Sequence, residues 1–239
     1  MKRLITLGLA CSLLAACDVS NVGFRQKQGR ESLENQQISQ SRKAIFVISG
    51  ASGVGKDYMI KIVLAEDKSL LKAANHTTRD QRPGEKAGFD YIYEKDADFF
   101  KRQDPSDLID HAGNVGKEYG ILKSDILKLL ARKDCSGVII NADLNGLDNV
   151  RKAFKNDPNV TVVGILIDFR DESVLRARLK GRKTETPEQI EQRIKWGMQL
   201  KKEASKRNDL YVFVNDDATE TGVAISAFMH SVLREVNKE

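Results

Sequence analysis

Residues 44–57 read Ala-Ile-Phe-Val-Ile-Ser-Gly-Ala-Ser-Gly-Val-Gly-Lys-Asp. The run Ala44–Ile48 is apolar and rich in β-branched types, the pattern of a buried strand. Gly50 to Lys56 then fits G-x-x-x-x-G-K. Glycines let such a loop turn so that successive N–H groups point into one concavity. That concavity and the N-terminus of the following helix bind phosphate. A helical pattern does follow, with Tyr58, Ile62 and Val63 on one face. The expected nucleotide-binding residues are therefore Gly50, Ala51, Ser52, Gly53, Val54, Gly55, Lys56 and Asp57, with Lys56 reaching the β- and γ-phosphates. Such motifs end in Ser or Thr, whose hydroxyl holds Mg²⁺, and here position 57 is Asp.

The chain has 239 residues, 41% of them hydrophobic, enough for a core. Lys and Arg number 39 against 34 Asp and Glu, a net charge of +5. That excess is modest, and the arginines gather in motifs. It reads as phosphate-handling charge, with no nucleic-acid partner. The three cysteines, Cys11, Cys17 and Cys135, make no disulfide framework. No Cys or His spacing suits a metal site.

Residues 1–17 read as an export signal. Lys2 and Arg3 precede an apolar stretch over 4–16, too short to span a bilayer comfortably. Its end, Leu14-Ala15-Ala16-Cys17, resembles a bacterial lipoprotein processing box, which implies lipidation at Cys17 and a membrane-anchored protein. Asp18 resembles a signal for retention at the inner membrane; without processing the protein would be cytoplasmic. Residues 18–43 are polar and read as a solvated linker. The folded domain is expected over 44–239.

A second motif runs from Asn75 to Tyr91: Asn75-His76-Thr77-Thr78-Arg79-Asp80-Gln81-Arg82-Pro83-Gly84-Glu85, then Gly88-Phe89-Asp90-Tyr91. Two arginines three apart beside a Pro-Gly turn suit a bidentate grip on a second phosphate. The runs Val138–Ile140, Val160–Ile167 and Leu210–Val214 read as buried parallel strands. Thr186-Pro187-Glu188-Gln189 reads as a capping box opening a helix.

The loop together with T-T-R-x-x-R-x-G-E-x-x-G-x-D-Y resembles guanylate kinase. The resemblance continues through Glu118-Tyr119-Gly120, Ile139–Gly146, Arg178–Arg193 and Val214-Asn215-Asp216-Asp217. It implies an α/β fold of the P-loop NTPase type: a parallel sheet flanked by helices, a small substrate-binding subdomain and a helical lid. It also implies ATP and Mg²⁺ as cofactors. Lys56, Arg178, Arg182 and Arg193 match the catalytic lysine and lid arginines. Arg79, Arg82, Tyr91 and Tyr119 match the residues that hold the acceptor phosphate. Asn75, Asp110 and Asp143 match positions that read guanine.

Departures from the pattern keep other readings open. Asp110 is one methylene shorter than the family's Glu. Asn75 and Ile121 replace two hydroxyl residues, and Ile121 donates nothing. Asp57 replaces Ser/Thr while Asn141 stands where the family has Asp, as though the Mg²⁺ carboxylate had moved across the metal. Lys56-Asp57 and Asn141 also resemble ribose bisphosphate phosphokinase. Three readings follow. The first is a kinase moving the γ-phosphoryl group of ATP to GMP. The second is a kinase of similar mechanism acting on a sugar phosphate. The third is an inactive guanylate kinase-like binding module tethered to a membrane. The expected partner is a nucleotide or other phosphorylated small molecule. Oligomeric state is not set by the sequence.

Overall fold

The apolar run at residue 44 forms the centre of strand β1 (Lys43–Gly50), six of whose eight residues are buried. Alternation sends Ala44, Phe46 and Ile48 to one core and Ile45 and Val47 to the other. A strand that is apolar on both faces needs a layer of helices on each. The computed structural model, which describes residues 42–114, 117–181 and 185–238, supplies both layers.

Strands β7 (Gly137–Asn141) and β8 (Val160–Asp168) flank β1. Strands β2 (Leu70–Ala73) and β9 (Leu210–Val214) close the sheet. The order is β2-β7-β1-β8-β9, and every pair is parallel. All carboxyl ends therefore lie on one edge, where ligands of open α/β sheets bind. The loop after β1 and the end of β7 meet on that edge, with Ile48 paired to Asn141.

One layer holds α1 (Lys56–Glu66), α4 (Glu172–Gly181), α5 (Pro187–Ala204) and α6 (Ala218–Val236). Met59, Leu175, Ile194 and Met229 carry these helices into the core with Phe46. The other layer holds α2 (Lys123–Leu130) and α3 (Leu144–Phe154), which bury Ile126, Leu147 and Val150. The capping box at α5 forms as expected. Gln189 N–H donates to the Thr186 hydroxyl at 3.3 Å, and Thr186 N–H donates to the Gln189 side chain at 3.0 Å.

Residues 75–122 build a second sheet from β3 (Asn75–Thr77), β4 (Tyr91–Tyr93), β5 (Leu108–Asn114) and β6 (Lys117–Leu122). Its order is β4-β3-β6-β5. The phosphate-gripping motif is thus two short strands and the turn between them. This is the small subdomain expected beside the main sheet. Gly120 lets it pack, since an added Cβ would lie 2.3 Å from Cε1 of Phe100.

Candidate active site

The loop Gly50–Asp57 turns through glycines. Gly53 has φ 89° and Gly55 φ 108°, both left-handed values that favour glycine. Gly55 also caps α1 without a side-chain acceptor, so it offers nothing to the first-turn N–H groups. Those groups and the positive end of α1 make an anion site. Lys56 Nζ lies over the loop, donating to the Gly50 carbonyl at 2.7 Å and the Ala51 carbonyl at 3.1 Å.

Across from the loop stand the side chains of the second sheet. Ser52, Gly53, Gly55, Lys56 and Asp57 share one cleft of about 260 Å³ with Arg79, Arg82, Tyr91, Tyr119, Asn141 and Arg193. Glu85 lines it too. The glycine loop and the arginine-bearing turn of the second sheet therefore face each other.

Arg79 is buried and tightly held. Its guanidinium donates to both Glu85 oxygens, at 2.9 and 2.7 Å, and lies 4.8 Å from the centre of the Tyr91 ring. Tyr93 O–H donates to Glu85 at 2.7 Å. Burial alone would raise the Glu85 pKa; the bonds from Arg79, Tyr93 and the Arg82 N–H overcome it and hold the carboxyl down at about 2. Nε of Arg79 is buried with no protein partner. Arg79 nonetheless lines the cleft beside Tyr91 and Tyr119, a fixed cation of the kind that suits a phosphate. Burial pushes the Tyr91 phenol up, with the charge of Asp57 adding, so it stays a neutral donor.

The lid arginines separate. Arg193 reaches the Ser52 hydroxyl and lines the cleft. The Arg178 guanidinium instead donates to the carbonyls of Val54 and Asn215, both at 3.1 Å, tying α4 to the loop. Asn215 joins the same knot, its amide donating to Val54 O at 2.6 Å. Arg182 and Cys17 lie outside the described residues.

Of the base-reading set, Asn75 donates to the Asn141 backbone carbonyl at 2.8 Å. Asp110 accepts from the Asn149 amide at 2.9 Å. Burial pushes the Asp110 carboxyl up, and the nearby charge of Asp143 adds to that. Asp143 accepts from Gly146 N–H at 2.8 Å and caps α3. It lines a neighbouring cavity of about 500 Å³, with Trp196, Gln199 and Glu203, and not the transfer cleft. Asn141 is the strand-end residue that faces the cleft. Its amide donates to Asp57 Oδ1 at 3.2 Å.

Among the described residues no group of three or more His, Cys, Asp or Glu side chains gathers as a metal cage. The donor chemistry still suits Mg²⁺, which takes one or two protein oxygens and fills its shell with substrate phosphates and water. Asp57 and Asn141 together provide that minimal set.

A profile of the guanylate kinase family matches residues 41–232. The chain belongs to the guanylate kinase family. It is 33% identical over 181 residues to a guanylate kinase of Deinococcus radiodurans, covering 74% of this chain and 71% of that one. To a guanylate kinase of Sus scrofa it is 30% identical over 195 residues, covering 80% and 93%. Among solved structures, the guanylate kinase of Anaplasma phagocytophilum superposes with a TM-score of 0.60 at 24% identity, over 83% of this chain and 88% of that one, which shows a shared fold.

Membership corrects one expectation. The chain's matched relatives are guanylate kinases of bacteria and of Sus scrofa alike, which overturns the reading as a membrane-anchored lipoprotein. Among the described residues no helix is long and apolar enough to cross a membrane. The residues on which that expectation rested, 1–18, lie outside those described.

Glu85, Tyr93 and Asn149 received no role in the sequence reading. Glu85 sits inside the quoted motif, and Tyr93 follows Tyr91 at the two-residue spacing that puts both on one face of a strand. Asn149 carried no local signal.

Proposed function

We propose that this chain is a working guanylate kinase, transferring the γ-phosphoryl group of ATP to GMP to give ADP and GDP. The observation that carries the reading is the single cleft in which Lys56 and the glycine loop face Arg79, Arg82, Tyr91 and Tyr119. A phosphate on each wall brings acceptor oxygen and donor phosphorus together. Phosphoryl transfer needs that positioning and charge neutralisation more than it needs a covalent catalyst.

The loop N–H groups and Lys56 hold the donor phosphates. Arg79, Arg82, Tyr91 and Tyr119 line the acceptor side of the cleft and hold the acceptor phosphate. Arg193, already at Ser52, neutralises charge on the transferring group. Asp57 and Asn141 would hold Mg²⁺, which would supply Lewis-acid neutralisation of charge on the donor phosphates. Asp110 and Asn75 face the acceptor base. Arg178 serves from behind the loop, fixing its Val54 turn. The catalytic domain extends over 44–239.

The family match speaks against the sugar-phosphate kinase and the inactive binding module. ADP formation with ATP and Mg²⁺ tests the reading, using GMP, AMP, UMP and ribose bisphosphate as acceptors. Turnover with GMP supports it. Turnover with the sugar alone, or with no acceptor, overturns it.

A further inference from the structure

Helix α5 carries a face of unlike side chains away from the transfer cleft. Arg193, Trp196, Leu200 and Glu203 follow each other at spacings of three or four and so share that face. Arg193 and Ser52 line both the transfer cleft and the neighbouring cavity of about 500 Å³, so the two spaces adjoin. Trp196 and Glu203 line the cavity with Asp143. Gly197 seats the helix: an added Cβ there would lie 2.9 Å from Leu175 Cδ2 and 3.1 Å from Ala51 Cβ, so α5 lies close against the start of the loop. Trp196 is the chain's single tryptophan and is 61% exposed. An indole left uncovered beside a substrate cleft is a large apolar surface that a flat ring can cover.

The cavity lies at the strand end of the glycine loop, Gly50 to Ser52. The helix end of such a loop holds the donor's inner phosphates, so the donor nucleoside leaves from that other end. The acceptor side is where the cavity leads. Asp143 accepts from Gly146 N–H at 2.8 Å, and an added Cβ at Gly146 would lie 3.1 Å from Asp110 Oδ2, so Asp143 and Asp110 meet around that glycine. Along α5 a guanidinium comes first, an indole about 4.5 Å on and a carboxylate about 15 Å on. Phosphate, flat ring and a ring edge rich in N–H donors, in that order, is the chemistry of guanosine monophosphate. Resting on the guanylate kinase reading, we propose that Trp196 is a substrate-contacting residue: its indole stacks on the purine of the acceptor nucleotide, whose base enters this cavity beside Asp143.

With one tryptophan in the chain, its fluorescence reads this site alone. Acrylamide quenching of the full wild-type chain is measured with GMP, with ATP and with ribose 5-phosphate, and calorimetry follows GMP occupancy. Bound GMP is expected to lower the quenching constant about threefold, while ATP and ribose 5-phosphate, which bring phosphate without a base at this end of the loop, leave it unchanged. Unchanged accessibility with GMP bound, or protection by ATP or ribose 5-phosphate equal to that by GMP, overturns the inference. Trp196→Ala is expected to raise the Kd for GMP about tenfold, the scale of one base stacked on one aromatic ring, and to leave the Kd for ATP within about twofold. Trp196→Phe keeps a ring and is expected to restore most of the GMP affinity. A merely structural role would weaken ATP binding alike and show no rescue by phenylalanine. ADP formation is followed in parallel. Absent turnover with Trp196 protected by GMP overturns the kinase reading alone, turnover without protection overturns the inference alone, and no binding of GMP overturns both.

Discussion

The side-chain amide of Asn141 donates to the Asp57 carboxylate at 3.2 Å, joining the end of β7 to the first turn of α1. Asp57 sits at the positive end of that helix, which favours its charge. It also lies beside the loop that binds donor phosphate, which opposes it. A carboxylate tolerated there has a cation to share, and Asn141 contributes an amide where a second negative charge would add repulsion.

The pair therefore behaves as one unit. Asp57→Ser and Asn141→Asp are each expected to lower kcat/KM at limiting Mg²⁺ by tenfold or more. The double variant is expected to recover most of that loss, because it moves the carboxylate to the other side of the metal. A double-mutant cycle in kcat/KM checks this; additive losses reject the coupling.

Lys56→Ala removes the charge that spans the loop. We expect kcat to fall by about 10²–10³-fold, the scale of losing one preorganised charge donor. Lys56 also donates to the carbonyls of Gly50 and Ala51. Thermal unfolding with and without ATP then separates the two roles: nucleotide protection is expected to shrink more than intrinsic stability.

Glu85 links the acceptor site to stability. Its carboxyl has an ordinary value of 4.5 and is held at about 2 in the fold. A depressed carboxyl stabilises above its unfolded pKa and loses that contribution as pH falls through its folded pKa. Native stability is thus expected to decline between about pH 4.5 and pH 2, by up to ~3 kcal/mol from this group. Glu85→Gln should flatten that part of the profile, and should raise KM for GMP by leaving Arg79 unfixed. Chemical denaturation across pH, with acceptor KM at pH 7, measures both.

Much of the fold was legible because its signals are local. Strand β1, the glycine loop and α1 follow each other without a break, and Thr186 and Gln189 meet across one helical turn. The acceptor sheet was not legible in the same way. Strands β3 and β4 have three residues each, and His76 pairs with Gly120, far along the chain. Asp143 illustrates a missed local signal: an Asp opening an apolar-periodic segment is a helix cap first, and it caps α3. The Asp110–Asn149 bond joins two elements whose approach no periodicity announces.

Gly50 tests the loop's geometry. Its φ is 154°, and an added Cβ would lie 2.6 Å from the Ile167 carbonyl and 2.9 Å from Val54 Cγ1. Neither β8 backbone nor the buried Val54 gives way cheaply. Gly50→Ala is expected to destabilise the fold by about 1–3 kcal/mol and to weaken ATP binding by distorting the first turn of the loop. Urea unfolding and ATP titration report the two effects.

His76 gives the last prediction, concerning the acceptor sheet. It is 6% exposed. Its Nδ1 lies 2.7 Å from Glu94 and its Nε2 2.7 Å from Asp125, and the ring stacks on Phe99 at 5.1 Å. The residue therefore ties β3 to the segment after β4 and to α2. Burial opposes the Asp125 charge, but bonds from His76 and Lys128 hold its pKa below the ordinary range. That contribution is present above the ordinary carboxylate pKa and is lost as pH falls through the depressed one. His76→Leu keeps the bulk and removes both bonds, leaving two carboxylates without their shared donor. We expect a loss of about 2–4 kcal/mol at pH 7, with Asn75 on the loosened strand and Arg79 just beyond its end raising acceptor KM more than they lower kcat. Adding Asp125→Asn should restore part of the stability, since it removes one of the stranded charges. If His76→Leu is as stable as wild type at pH 7, the histidine does not hold the acceptor sheet together.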